Sequence, residues 1–177
     1  RHTVGLVDPI TAGDQTRRVD DGLPETLEEV IATYGHRWFK LKVAGDIEAD
    51  IERLARIAQV LDKVAGDYYV TFDGNEQYAD VDGLFELWAR MGHDRRLDRL
   101  FKRVMLIEQP IRRQAALTQD VSELARERTL IIDESDDSIE AFVRARDCGY
   151  TGVSSKTCKG LYRSLLNRAR CEHWNQG

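Results

Sequence analysis

Short β-rich runs alternate along the chain with longer amphipathic segments. Strands are predicted near residues 4–9, 37–43, 68–73, 104–109, 129–133 and 151–156. The segments between them carry apolar residues at spacings of three and four, the period of a helix that packs on one side. Because parallel strands need a crossover that a helix usually supplies, this alternation predicts an α/β fold with a parallel sheet.

The predicted helices differ in how clearly they begin and end. Thr26 and Glu29 have the spacing of a capping box, and Gly35 follows the last turn of that helix. The third connection is longer than the others and contains "MGHDRRLDR", so we expect an extra turn within it. The next helix after Gly35 has one continuous apolar face, formed by Ile47, Ile51, Leu54, Ile57, Ala58 and Leu61.

A right-handed βα repeat closes either as a doubly wound sheet or as a (β/α) barrel. No GxGxxG or GxxxxGK[ST] sequence opens a helix, so the phosphate-binding versions of the doubly wound fold lack their signature. Both architectures place ligands at the carboxyl ends of the strands. The residues at which each strand stops are therefore the candidates for function.

Five successive predicted strands end in charged residues. In chain order these are Lys40 with Lys42, then Asp73, Glu108, Asp133 and Lys156. Three carboxylates side by side repel one another and need a cation to remain ionised. Because the set contains only oxygen donors, it suits Mg²⁺, or Mn²⁺, rather than zinc.

Composition narrows the class of protein. The 177 residues are 42% hydrophobic and 32% charged, with a net charge of −5, which is typical of a soluble globular protein and gives no footprint for nucleic acid. No apolar run approaches the roughly 18 residues of a membrane span. The three cysteines form no CxxC pair and no secretory segment is seen, so we expect a cytoplasmic protein.

The strand-end motifs together resemble the enolase superfamily, in its mandelate racemase and muconate lactonizing enzyme branch. They are "KLK" at 40–42, "DGN" at 73–75, "EQP" at 108–110, "DES" at 133–135 and "SSK" at 154–156. The resemblance implies a modified (β/α)₇β barrel of the TIM type. It also implies that Mg²⁺ is bound by Asp73, Glu108 and Asp133.

The same resemblance implies the chemistry. Lys42 and Lys156 would stand on opposite faces of the substrate as acid and base, with Lys40 assisting electrostatically. The implied reaction removes the α-proton of a carboxylate substrate through an ene-diolate, as a racemase or epimerase, a cycloisomerase or a dehydratase does. We also expect a small carboxylate substrate, a homo-oligomer, and no nucleic-acid or membrane partner.

The extent of the chain leaves alternatives open. A complete barrel of this type has about 250 residues, whereas six βα units are found here. Residues 1–177 are therefore expected to be a barrel-domain fragment with strands one to six, without a capping domain or the late strands. The alternatives are a Schiff-base lyase that uses Lys156, and a non-catalytic or truncated barrel that retains the metal site.

Overall fold

The computed structural model describes residues 1–176. Within that range six strands form one parallel sheet, and their order in the sheet is their order in the chain. A doubly wound sheet reverses its strand order at a switch point, whereas a barrel does not, so this sequential order favours the barrel. The strands are β1 (His2–Val4), β2 (Trp38–Lys42), β3 (Tyr69–Asp73), β4 (Val104–Glu108), β5 (Thr129–Ile132) and β6 (Gly152–Val153).

Helices occupy every connection between strands. Among residues 1–176 no helix is both long enough and apolar enough to cross a lipid bilayer. Short 3₁₀ turns also lie in the chain, at Ala12–Asp14, Arg95–Leu97 and Thr157–Lys159. The α-helices are α1 (Leu27–Tyr34), α2 (Ile47–Leu61), α3 (Val81–His93), α4 (Asp98–Arg103), α5 (Arg113–Ala116), α6 (Ser122–Ala125), α7 (Ala141–Asp147) and α8 (Leu161–Trp174).

Local sequence signals explain where α1 begins and ends. The Thr26 hydroxyl accepts a hydrogen bond from the Glu29 amide at 3.1 Å, and the Glu29 carboxylate accepts one from the Thr26 amide at 3.4 Å. Gly35 ends the helix with φ of 62°, a left-handed conformation that favours glycine. The predicted capping box and helix end are confirmed.

The core lies between the sheet and its helices. Phe39 and Leu41 of β2, with Val70 and Phe72 of β3, are fully buried against them. Burying an apolar side chain of this size stabilises the fold by about 1.5–3 kcal/mol. Because side chains alternate along a strand, the residues between these apolar positions point to the opposite face of the sheet. That face carries the candidate site.

The first and last predicted strands are too long. Strand β1 stops at Val4, because the Gly5 amide bonds the Asp8 carboxylate at 2.7 Å and starts a turn instead of continuing the ladder. Strand β6 pairs at two positions only, so most of the predicted 151–156 strand is loop. The extra turn expected in the third connection is confirmed, by the 3₁₀ turn Arg95–Leu97 followed by α4.

Candidate active site

The register of the sheet brings the first candidate residues side by side. Lys42 of β2 pairs with Asp73 of β3, and Asp73 pairs in turn with Glu108 of β4. Lys40, two residues before Lys42, points to the same face. Four side chains separated by up to 68 positions in the chain therefore meet at the carboxyl end of three adjacent strands.

Lys40 bridges two buried carboxylates. Its Nζ lies 2.7 Å from Oδ2 of Asp73 and 2.5 Å from Oε2 of Glu108. Burial opposes the charge on Lys40, but the hydrogen bonds to both carboxylates outweigh it and raise the pKa of the lysine. Burial likewise opposes ionisation of Asp73, but Lys40 and Lys42 lower the pKa of this carboxyl. The contacts within the cluster therefore favour the charged forms of Lys40 and Asp73, and the Lys40 ammonium group pairs with both carboxylates.

Lys42 is held by two neighbours. Its ammonium group donates to Oδ2 of Asp73 at 2.7 Å and to the side-chain oxygen of Asn75. The Asn75 amide group donates in turn to Oε1 of Glu134 at 3.0 Å. Asn75 lies just past β3 with φ of 41°, in the left-handed region where a non-glycine residue is uncommon. This turn links the end of β3 to the end of β5.

The second cluster lies at the ends of β5 and β6. Asp133 follows β5 directly, is buried, and pairs with the ammonium groups of Lys156 and Lys159. Burial works against its ionisation, yet the two lysines lower the pKa of Asp133. Lys156 is desolvated in part, but Asp133 raises its pKa, and 45% of its side chain is exposed.

Gln109 connects the two clusters. The strand-end pattern of the sequence does not identify it as a site residue. It is fully buried next to Glu108, and its Oε1 accepts from the amides of Asp133 at 2.8 Å and Ser135 at 3.0 Å. Its Nε2 donates to the carbonyl oxygen of Ile111 at 2.8 Å and to the Ser135 hydroxyl at 2.7 Å. The adjacency of Gln109 to Glu108 in "EQP" was the one available signal.

A buried carboxylate holds the loops after β2 and β3 together. Asp50 accepts from the amides of Ala44 at 2.7 Å and Gly45 at 3.0 Å, and from the Tyr78 hydroxyl at 2.8 Å. Burial raises the pKa of Asp50. Gly45 has φ of 82°, and a Cβ there would meet the carbonyl oxygen of Gln77 at 2.6 Å. Only glycine fits this approach of the two loops.

Each of the three predicted metal ligands contacts a lysine ammonium group: Lys40 for Asp73 and Glu108, and Lys156 with Lys159 for Asp133. Across residues 1–176 no three acidic, histidine or cysteine side chains come close enough together to hold a metal ion. Because one Lys40 nitrogen touches both Asp73 and Glu108, these two carboxylates lie within reach of a common cation. The all-oxygen donors fit Mg²⁺ in chemical type. The assignment of Asp73, Glu108 and Asp133 as ligands stays a prediction.

All six candidate residues therefore lie at one edge of the sheet. Lys40, Lys42, Asp73 and Glu108 form one network, and Asp133 with Lys156 forms another. Two further charged residues belong to the site. Lys159 contacts Asp133, and Glu134 has a buried Oε2 with no hydrogen-bond partner among the described residues. Such an arrangement can bind a cation and a carboxylate and can move protons between lysines and a bound molecule.

A protein-family model and a related enzyme both match most of this chain. The family model described as "Enolase C-terminal domain-like" matches residues 22–176. The L-Lys-D/L-Arg epimerase of Methylococcus capsulatus is 32% identical over 151 residues, which are 81% of this chain and 37% of the epimerase.

Solved structures agree on the fold. A mandelate racemase/muconate lactonizing protein from Herpetosiphon aurantiacus matches with a TM-score of 0.66 and 24% identity, over 83% of this chain and 40% of that one. Muconate lactonizing enzyme from Pseudomonas putida matches with a TM-score of 0.60 and 23% identity, over 81% and 38%. The predicted barrel class is thus confirmed, and the chain spans about two fifths of the length of these relatives.

Proposed function

The chain belongs to the enolase C-terminal domain-like family, and we propose that it carries the metal and proton-transfer groups of an isomerase acting on a small carboxylate substrate. The observation that carries this proposal is the row of charges along the strand ends. Asp73 ends β3, Glu108 ends β4 and Asp133 follows β5 directly. Lys42 on β2 lies at one end of this row, and Lys156 after β6 lies at the other. A substrate over the carboxylates would have a lysine on either side.

Asp73, Glu108 and Asp133 are the residues that would hold Mg²⁺. The bound ion would supply positive charge against the negative charge that develops on the substrate carboxylate as its α-proton leaves. Lys40 lies between Asp73 and Glu108, and its hydrogen bonds to both carboxylates favour its charged form and raise its pKa. Its role is therefore to add fixed positive charge near the substrate carboxylate, and it does not accept the proton.

Lys42 and Lys156 are the proton-transfer groups in this proposal. Lys42 is oriented by Asp73 and Asn75, which fixes where its ammonium group points. Lys156 is half exposed, and Asp133 raises its pKa, so it must leave Asp133 before it can accept a proton. One lysine removes the α-proton and the other returns a proton to the opposite face, which inverts the carbon centre.

The epimerase relative guides the choice of substrate. Its name describes epimerisation of a dipeptide with cationic side chains, so we propose amino-acid-derived carboxylates as the first class to test. A cycloisomerase would use the same residues. The Schiff-base alternative has less support, because a lysine that forms an imine gives no role to the carboxylates of Asp73, Glu108 and Asp133 at the neighbouring strand ends.

Solvent exchange at the α-carbon tests this proposal. The protein is incubated with Mg²⁺ in deuterium oxide with a panel of dipeptides and other α-substituted acids, and loss of the α-proton signal is followed by NMR. We expect Lys42→Ala and Lys156→Ala to slow exchange by about a hundredfold or more. Lys63→Ala, which removes an exposed lysine paired with Glu28, is the matched control and should leave the rate unchanged. No exchange with any acid, or equal rates in all variants, would contradict the proposal.

A further inference from the structure

Lys159 is a charged residue at the site to which the proposed function gives no role. Only 14% of its side chain is exposed, and its Nζ lies 2.7 Å from Oδ1 of Asp133. The same nitrogen donates to the carbonyl oxygens of Asp133 at 2.5 Å and Ser154 at 3.0 Å, and Oδ2 of Asp136 lies 3.9 Å away. An ammonium group has three protons, and here three close acceptors take them.

These contacts join two strand ends that the sheet joins weakly. Strands β5 and β6 pair at two positions, and past them the Ser154 amide donates to the carbonyl oxygen of Ile132 at 2.8 Å. Lys159 extends this connection by one further step, because it binds one carbonyl oxygen from each side. It therefore crosslinks the segments that carry Asp133 and Lys156.

Lys156 and Lys159 divide the two oxygens of Asp133 between them. Lys156 pairs with Oδ2 and Lys159 with Oδ1. The two lysines belong to one 3₁₀ turn, in which the Lys159 amide bonds the Lys156 carbonyl oxygen at 3.0 Å. Lys156 is far more exposed than Lys159, so it is the lysine that can leave Asp133 for a substrate, while Lys159 remains.

We infer that Lys159 is a positioning residue, which holds Oδ1 of Asp133 and the end of β6 so that Oδ2 faces the centre of the site. The importance of this positioning for catalysis rests on the proposed function, in which Asp133 would hold Mg²⁺ through Oδ2. Because Lys159 is largely buried and bound to protein oxygens, it has a positioning role only in this inference. Residues that orient a metal ligand commonly change metal affinity by about 10- to 100-fold when they are replaced.

Two measurements on the whole chain test this inference. Calorimetry gives the affinity for Mg²⁺, and hydrogen exchange without metal follows the amides of residues 151–156. Lys159→Met removes the charge at similar size, Lys159→Arg keeps it, and Lys63→Met is the control on an exposed lysine. We expect Lys159→Met to bind Mg²⁺ about tenfold more weakly and to exchange the Ser154 amide faster. Lys159→Arg should recover most of both effects, and Lys63→Met should change neither.

The outcomes separate this inference from the proposed function. Unchanged or tighter Mg²⁺ binding by Lys159→Met would overturn the positioning role, since repulsion between the ammonium group and the ion would then dominate. If the unmodified protein binds no Mg²⁺, the proposed metal site fails. The exchange data still decide about Lys159 in that case: faster exchange in Lys159→Met supports the crosslink between strand ends, and unchanged exchange overturns it.

Discussion

Strands β2 and β3 pair at five positions, whereas β5 and β6 pair at two. The early half of the site (Lys40, Lys42, Asp73 and Glu108) therefore lies inside paired strands, and three of its four residues are buried. The late half (Asp133, Lys156 and Lys159) lies past the paired positions. It is held by lysine contacts, and its Lys156 is exposed.

This difference separates rigid from adjustable parts of the site. A side chain within a paired strand is positioned by backbone hydrogen bonds on both sides, and its geometry is set when the sheet forms. A side chain in a loop with few backbone bonds can move at low cost. The early half thus holds Lys40, Lys42 and two carboxylates in place, while the late half contains Lys156, which in the proposed function leaves Asp133 to act.

The largest effect is expected for the buried lysine of the early half. Lys40→Met leaves Glu108 without its ammonium partner in a buried position, and breaking a buried ion pair in this way costs about 3–5 kcal/mol. Urea unfolding with divalent metal chelated measures the loss in free energy of unfolding. Lys63→Met, at an exposed pair, should lose less than about 1 kcal/mol. A loss in Lys40→Met as small as that of the control would show that the early half does not depend on this ammonium group.

A smaller effect is expected for the residue that joins the two halves. Gln109→Ala leaves the buried amides of Asp133 and Ser135 without their acceptor, which should cost about 2–3 kcal/mol. The same unfolding experiment measures it. Hydrogen exchange of these two amides should become faster, because both lose the side-chain oxygen that accepts from them.

Gln77→Ala is the matched control for that variant. Gln77 is exposed, and within residues 1–176 its side chain donates only to the Asn75 carbonyl oxygen, at 3.2 Å. Its replacement should therefore change stability by less than about 0.5 kcal/mol. Equal losses in the two variants would mean that Gln109 does not couple the ends of β4 and β5.

The smallest effect on stability is expected in the late half. Lys156→Met removes a half-exposed ion pair while Lys159 continues to neutralise Asp133, so the loss should stay below about 1 kcal/mol. α-Proton exchange in the same variant should nevertheless fall strongly. If Lys156→Met destabilised the protein as much as Lys40→Met, the contrast between the rigid and adjustable halves would be wrong.

The sequence predicted most of the fold because its signals are local. The capping box at Thr26, the glycine after α1 and the apolar face of α2 each depend on residues within a few positions of one another. The errors occurred at β1 and β6, where β-rich residues continue past the point at which the backbone turns. The Asp8 carboxylate ends β1 by bonding the Gly5 amide, which residue preferences alone do not reveal.

The sequence by itself determined the alternation of strands and helices and the charged residues at, or shortly after, the ends of β2 to β6. It did so because hydrophobic period and strand ends are encoded in neighbouring positions. Only the tertiary structure decided that Lys40 bridges Asp73 and Glu108, that Gln109 joins the ends of β4 and β5, and that Lys159 shares Asp133 with Lys156. These contacts link residues from separate strands and loops, and they form only where the register of a parallel sheet brings strand ends together.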